Sequence, residues 1–296
     1  MENHSAIALY GRNIDHRTQP LYERILKHLE HSGCKAYIAP HIYDALRDTG
    51  SNALHGAELF DAQQIGNSLI AILSIGGDGT FLEAAKLAIG TEVPILGINS
   101  GRLGFLSDVD QDKADDAIDH LLQGNYRLAN LDVLSLYAND NRDAVGYALN
   151  EFAVSKCDNS SMLTIHAYVD GEYLTTYWAD GLIIATATGS TAYSLSVGGP
   201  IVYPASPNFV ITPIAPHNLS LRPLIVPSSV AIQLRIEGRG ANILTSLDGR
   251  NHVMDNNCQL RIAKTPFDVK RVELQGHSFF ATLRNKLMWG ADTRNV

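Results

Sequence analysis

Cysteine is scarce in this 296-residue chain. The three present, Cys34, Cys157 and Cys258, are odd in number, far apart and without a C-x-x-C pair. That argues against a disulfide framework or a zinc site and for a reducing compartment. Long apolar runs are also missing: none reaches the roughly 18 residues a membrane span needs. The opening MENHSAIALYGR has neither the basic region nor the long apolar stretch of a signal peptide. The expected location is cytoplasmic, with no membrane association. Positive charge is in deficit: 23 Lys and Arg against 31 Asp and Glu give a formal net charge of −8. General nucleic-acid binding, which needs a basic footprint, is therefore not expected. Sequence repeats and low-complexity segments are absent too. What remains is a composition of 45% hydrophobic and 18% charged residues, that of a globular protein with a sizeable core, at a length comfortable for two domains.

The first third alternates apolar runs with helical patterns. AIALYG (6–11), KAYIAP (35–40), SLIAILSI (68–75) and VPILGIN (93–99) read as strands, the third apolar throughout and so buried on both faces. Between them lie helical segments at 18–33, with Thr18 as N-cap, Pro20 in the first turn and Gly33 as stop, at 79–90, and at 112–124. Strand alternating with helix predicts a parallel sheet covered by helices. After about residue 125 strand patterns dominate. Val230, Ile232, Leu234 and Ile236 alternate with Ala231, Gln233, Arg235 and Glu237, and Asp170-Gly171 and Asp248-Gly249 mark tight hairpins. The tail 278–290 is helical again, with Phe280, Leu283 and Leu287 on one apolar stripe. The expected fold is thus an α/β domain over 1–125, a β-rich domain over 126–276 and a C-terminal helix over 277–296.

One loop carries chemistry. Gly76-Gly77-Asp78-Gly79-Thr80 follows the clearest strand and opens a helix. Glycines let backbone approach a phosphate closely, and a helix start adds N–H donors and the positive dipole end. The Walker lysine is missing, and Leu82 stands where the dinucleotide fingerprint needs its last glycine. A carboxylate repels phosphate, so Asp78 makes sense as acceptor of a proton from an attacking hydroxyl, or as a partner of a metal ion. The plainer alternative is a tight turn with an aspartate cap. A second stretch, DGLIIATATGSTAYSLSVGGP (180–200), is dense in Thr, Ser and Gly, which suits a nucleotide's ribose, amide and phosphate groups; the alternative is a polar turn region. His28 and His31 share a helix face, but no carboxylate or cysteine completes a metal set, so they read as surface residues. G-x-S-x-G, the serine-hydrolase turn, is absent.

In content and order, SIGGDGTFLEAA, LNEF (149–152), ADGLIIATATGSTAYSLSVGGPI and PIAPHNLSLRPL (213–224) closely resemble the NAD kinase family. The likeness runs from AIALYGR to FFATLRNKLMW. GGDG alone is shared with lipid kinases and phosphofructokinases; the second stretch is far more specific. The resemblance implies phosphorylation of the adenosine ribose 2′-hydroxyl of NAD to NADP by ATP, with a divalent cation such as Mg2+ carried by the ATP phosphates. It implies a Rossmann-like domain, a β-sandwich-like domain and a C-terminal segment packed back on the first. It further implies a homo-oligomer, with parts of the dinucleotide site supplied by a neighbouring subunit. Residue by residue, the catalytic aspartate falls on Asp78, with Gly76, Gly77, Gly79 and Thr80 around the phosphates. Dinucleotide contacts fall on Asp78, Gly79, Asn150, Glu151 and Asp180, and on Thr191, Ala192, Tyr193, Ser194, Leu195 and Ser196. Thr188, Asp248 and Arg250 are further candidate contacts. Some bacterial members carry arginine where this chain has Trp178. A lipid kinase sharing the loop, and an inactive NADP-sensing module, are the competing readings.

Overall fold

The structure, a computed structural model, describes residues 6–60, 69–139, 141–157, 162–238, 242–276 and 278–290. Ser68, first residue of the strand expected at 68–75, and the N-terminal MENHS lie outside the described residues. Internal contacts divide the chain into two units, residues 1–130 with 269–296, and residues 131–268.

In the first unit, apolar runs become buried strands and amphipathic segments become helices laid on them. The strands are β1 (Ala6–Tyr10), β2 (Lys35–Ile38), β3 (Glu58–Leu59), β4 (Leu69–Ile75), β5 (Ile95–Asn99) and β6 (Val109–Asp110). The helices are α1 (Gln19–His31), α2 (Pro40–Asp48), α3 (Asp78–Ala88) and α4 (Ala114–Leu122). α1 buries Leu21, Tyr22, Ile25, Leu26 and Leu29, the face its spacing predicts. Thr18 does sit at its N-cap position, but the hydroxyl bonds Asp15 instead of capping. The strand expected to reach residue 40 stops at Ile38, because Pro40 opens α2. Its fixed φ suits a first helical turn, whose N–H groups have no carbonyl partner within the helix.

The sheet order in this unit is β3-β2-β1-β4-β5, all parallel. The chain therefore builds outward from β1 to β3, then returns to the other side of β1 with β4. That reversal places a topological switch between the carboxyl ends of β1 and β4, where open α/β sheets hold ligands.

The second unit is antiparallel. It contains most of β7 (Tyr126–Ala138), then β8 (Gly146–Ala148), β9 (Glu151–Lys156), β10 (Leu163–Val169), β11 (Glu172–Ala179) and β12 (Gly181–Thr186). A short α5 (Tyr193–Ser196) precedes β13 (Asn208–Ile214), β14 (Leu224–Pro227), β15 (Ile232–Glu237), β16 (Asn242–Leu247) and β17 (Arg250–Asp255). One sheet is ordered β14-β13-β12-β9-β16-β17. The other carries β11, β10 and β15 against the first half of β18 (Gln259–Leu274). Phe152, Val154, Ile184 and Phe209 from the first sheet share one core with Ile165, Leu234 and Leu260 from the second, the packing of a β-sandwich. Both expected hairpins form, with Asp170 and Asp248 at positive φ.

β18 ends in the first unit, where Arg271 pairs in parallel with Ile95 of β5. The last helix, α6 (Phe279–Leu287), belongs to that unit too. Its apolar stripe differs from the expected one: Phe280 is 57% exposed, while Leu283 is buried and Phe279 meets Phe105 at 6.0 Å between ring centroids. The face is thus turned one residue from the expected register. It runs through Phe279 and Leu283 towards Lys286, the i, i+4 and i+7 positions of one stripe.

Candidate functional site

The glycine turn sits at the switch point. Gly76 has φ +152°, and a Cβ there would meet Thr80 Oγ1 at 2.3 Å, so only glycine fits. Gly77 is the N-cap and Asp78 the first residue of α3. The Thr80 N–H was expected among the phosphate donors, but it bonds the Gly77 carbonyl at 2.9 Å. The donors of the first turn are thereby narrowed to Gly77, Asp78 and Gly79. From the segment after β1, Arg12 Nη2 donates to the Gly79 carbonyl at 3.0 Å, joining the two loops that flank the switch.

Asp78 is tied to a loop the sequence reading did not single out. Its Oδ1 accepts the N–H groups of Leu106 (2.8 Å) and Ser107 (3.1 Å), and its Oδ2 accepts that of Phe105 (3.0 Å). The fourth donor is Lys286 Nζ of α6, 2.9 Å from Oδ2. Burial alone would raise this carboxyl's pKa, but Lys286 and the amides outweigh it and hold it below the ordinary carboxylate range. Gly104 makes the approach possible: a Cβ there would lie 2.0 Å from Asp78 Oδ1. Arg271 braces the same loop by donating to the Phe105 carbonyl at 2.8 Å. The G-x-x-G spacing of Gly101 and Gly104, directly after a buried strand, is the signal that could have flagged this loop. Nothing local flags Lys286.

In the second unit, strand pairing assembles the other candidates. Asp248, in the β16–β17 turn, accepts the N–H groups of Leu149, Asn150 and Glu151 at 2.8, 2.8 and 3.2 Å. Thr186, ending β12, donates its hydroxyl to the Leu149 carbonyl and accepts from the Gly189 N–H, which fixes the start of the 188–196 segment. Ser194 bonds Thr212 at 2.9 Å, and Tyr193 stands exposed. Asn150 and Glu151 are only 8% and 7% exposed. Burial pushes the Glu151 carboxyl up to about 7, the Asp248 charge adds to the rise, and the Tyr193 N–H opposes it. Burial likewise raises Asp248 against the pull of its three amides and Arg250. Glu151 Oε2 and Thr188 Oγ1 are among the buried polar atoms without a hydrogen-bond partner in the protein, which leaves both able to bond a ligand or a water molecule. Arg250 braces the turn, donating to the carbonyls of Leu247 and Tyr147.

Asp180 stands apart from this group. β9 and β12 are antiparallel, with Glu151 opposite Ala185 and Ser155 opposite Gly181. Asp180 therefore lies at the far end of the strand, roughly 15–20 Å along it from Glu151, where Lys156 Nζ meets it at 2.8 Å. His28, set aside as a ligand, pairs with Asp119 at 2.7 Å.

A parallel sheet with a glycine turn and a lone carboxylate at its switch point, followed in the chain by a β-sandwich with buried polar groups, defines a nucleotide-handling phosphotransferase. Residues 12–126 match the family model of the ATP-NAD kinase N-terminal domain, and residues 149–274 that of the C-terminal domain. The chain belongs to the NAD kinase family. An NAD kinase of Cytophaga hutchinsonii is 48% identical over 225 residues, covering 76% of this chain and 77% of the relative. One of Flavobacterium psychrophilum is 41% identical over 292 residues, 98% of this chain and 99% of the relative. Among solved structures, yeast NADH kinase complexed with NADH has the same fold at TM-score 0.90 and 23% identity, covering 99% of this chain and 89% of that one. An NAD kinase from Archaeoglobus fulgidus in complex with ATP matches at TM-score 0.71 and 25% identity, covering 96% and 98%.

Proposed function

We propose that this chain is an ATP-dependent NAD kinase that transfers the γ-phosphoryl group of ATP to the 2′-hydroxyl of the adenosine ribose of NAD, giving NADP and ADP. The observation that carries the reading is Asp78: an ionised carboxylate in the first turn of α3, within a glycine turn at the switch of a parallel sheet. The hydroxyl oxygen attacks the γ-phosphorus as the bond to the β,γ-bridging oxygen breaks, and the hydroxyl proton passes to Asp78. Such a transfer is mostly positioning and charge stabilisation. A carboxylate held below its ordinary pKa is a modest base, so its main task is to orient the hydroxyl in line with the phosphorus. The N–H groups of Gly77, Asp78 and Gly79 hold phosphate oxygens at the positive end of α3. Asn150 and Glu151 take the adenosine side of NAD, with Thr188, the 191–196 segment, Asp248 and Arg250 shaping their surroundings.

A dedicated protein cage for the metal ion is not required. Asp78, the carboxylate of the glycine turn, already accepts four donors, and no cluster of three His, Cys, Asp or Glu exists among the described residues. A divalent cation, Mg2+ in the first place, enters on the ATP phosphates. Asp180 lies at the other end of β12 from Glu151, so the two would meet different ends of an extended dinucleotide; the homo-oligomer, with a second copy supplying part of that site, is proposed on the family resemblance. The location proposed is cytoplasmic; the three cysteines are far apart in the sequence with no C-x-x-C pair, and no helix among the described residues is long and apolar enough to cross a membrane. A lipid kinase or an inactive NADP sensor is not favoured, because the matched domains and relatives are NAD kinases.

The test is NADP formation from NAD and MgATP by the purified protein, read through an NADP-specific dehydrogenase. Turnover with NAD is expected; none with NAD under any donor would overturn the reading. Asp78→Asn is expected to lose about 10²-fold or more in kcat, with NAD binding by calorimetry little changed.

A further inference from the structure

An ionised carboxylate offers about four lone-pair directions. All four on Asp78 are taken: three by backbone N–H groups of Phe105, Leu106 and Ser107, one by Lys286. The three amides belong to a loop braced by Arg271 and cannot leave without unmaking it. Lys286 is a flexible side chain in the last turn of α6, 32% exposed, and only its four-carbon stem tethers the ammonium. A hydroxyl that is to donate to Asp78 must take the place of one donor, and Lys286 is the donor free to move.

Resting on the reading of Asp78 as the orienting group, we propose that Lys286 is a positioning residue for phosphoryl transfer. It neutralises the carboxylate and reserves its Oδ2 for the acceptor hydroxyl, which displaces the ammonium on binding. Two surroundings support this. The ammonium lies 4.6 Å from the centroid of the Phe105 ring, a face that accepts a cation as it shifts. The pairing also removes the electrostatic objection to an aspartate in a phosphate turn: a carboxylate with an ammonium at 2.9 Å presents no net charge to an approaching polyphosphate. The exchange itself moves no covalent bond; an O–H···O bond replaces an N–H···O bond, and the released ammonium keeps its three protons.

The charged groups around Asp78 come from several elements. Arg12, from the segment after β1, bonds the Gly79 carbonyl and lies 3.9 Å from Glu83; Lys86 also pairs with Glu83, on the same helix as Asp78. Arg271 of β18 holds the carbonyl of Phe105 and pairs with Glu273. Lys286 is the cation whose ammonium touches Asp78, so its removal leaves burial opposed by amides alone, and Asp78 must titrate at higher pH.

The experiment is a double-mutant cycle with Lys286→Met, Asp78→Asn and the pair, with Lys286→Arg as the conservative variant, thermal melts for each, and kcat and kcat/KM for NAD and MgATP between pH 5 and 9. Lys286→Met is expected to lower kcat by about 10-fold or more and to move the acid limb of its pH profile upward. Arginine should restore most of the rate. In the Asp78→Asn background Lys286→Met should change kcat by less than about 2-fold, since its effect runs through Asp78. An unchanged rate and acid limb in Lys286→Met would overturn the proposal, as would losses that multiply in the double variant, which would mean that Lys286 acts on phosphate independently. Near-normal turnover of Asp78→Asn would instead overturn the reading of Asp78, so the two failures are distinguishable.

Discussion

Asp78, half-buried, and Glu151, buried, are both carboxylates at candidate positions, yet their environments push them in opposite directions. Asp78 is held ionised by donors, so its contribution to stability is present above the ordinary carboxylate pKa and is lost as pH falls through its lowered value. The Asp78→Asn substitution therefore does more than remove a base. An asparagine NH₂ would face amide donors that need an acceptor, and one unsatisfied buried donor costs about 1–3 kcal/mol; a lowered melting temperature is expected alongside the lost turnover. Glu151 has the reverse sign. Its folded pKa of about 7 lies above the ordinary 4.5, so the folded protein retains a proton that the unfolded chain has released between those values. Stability contributed by this residue declines as pH rises from 4.5 to 7 and is level above. Glu151→Gln should accordingly melt higher than the parent at pH 8, by the equivalent of about 3 kcal/mol at most, with the difference vanishing towards pH 4. Melting curves in a buffer series decide this; a difference independent of pH would remove the titration from Glu151.

At the scale of elements, α6 anchors the glycine-turn region through three side chains. Phe279 meets Phe105, Leu283 is buried, and Lys286 reaches Asp78. Deleting residues 278–296 loses the burial of Leu283, about 1.5–3 kcal/mol, and strips Asp78 of its counter-ion. Calorimetry should show a melting temperature lower by roughly 5 °C or more; an unchanged melt would mean that the helix is not docked. The elements were readable in proportion to their periodicity. β4 and α1 stand out because five apolar residues in a row, Leu69 to Leu73, or five on one face, admit one reading. α2 carries a weak signal, because Ile42 and Leu46 are its only buried residues and Pro40 reads equally well as a strand end. The 101–107 loop has no period at all, and its role comes from backbone N–H groups, which every residue but proline possesses. Lys286 lies 208 residues from its partner; an ion pair closed by tertiary folding leaves no local trace. The glycine turn was legible because close backbone approach needs one residue type at fixed positions.

On the scale of the whole molecule, the second unit exposes Trp178, Tyr203, Leu219 and Ile225; apolar side chains exposed one by one are ordinary on a protein surface, so the expectation of self-association rests on the family resemblance. Light scattering at working concentration should return a mass well above the 32.2 kDa chain; a fully active monomer would end that expectation. The first unit is also discontinuous in sequence: residues 1–130 are joined by 269–296 only after the whole second unit has been traversed. On a ribosome adding about 5–20 residues per second, roughly 8–30 s separate the emergence of residue 130 from that of Lys286. For most of that interval the nascent first unit lacks the end of β18 that pairs with β5, and until its close the lysine that pairs with Asp78. A polypeptide whose translation stops early thus carries an intact glycine turn with an unpaired carboxylate and an open sheet edge, a substrate for chaperones and proteases in place of a partial enzyme.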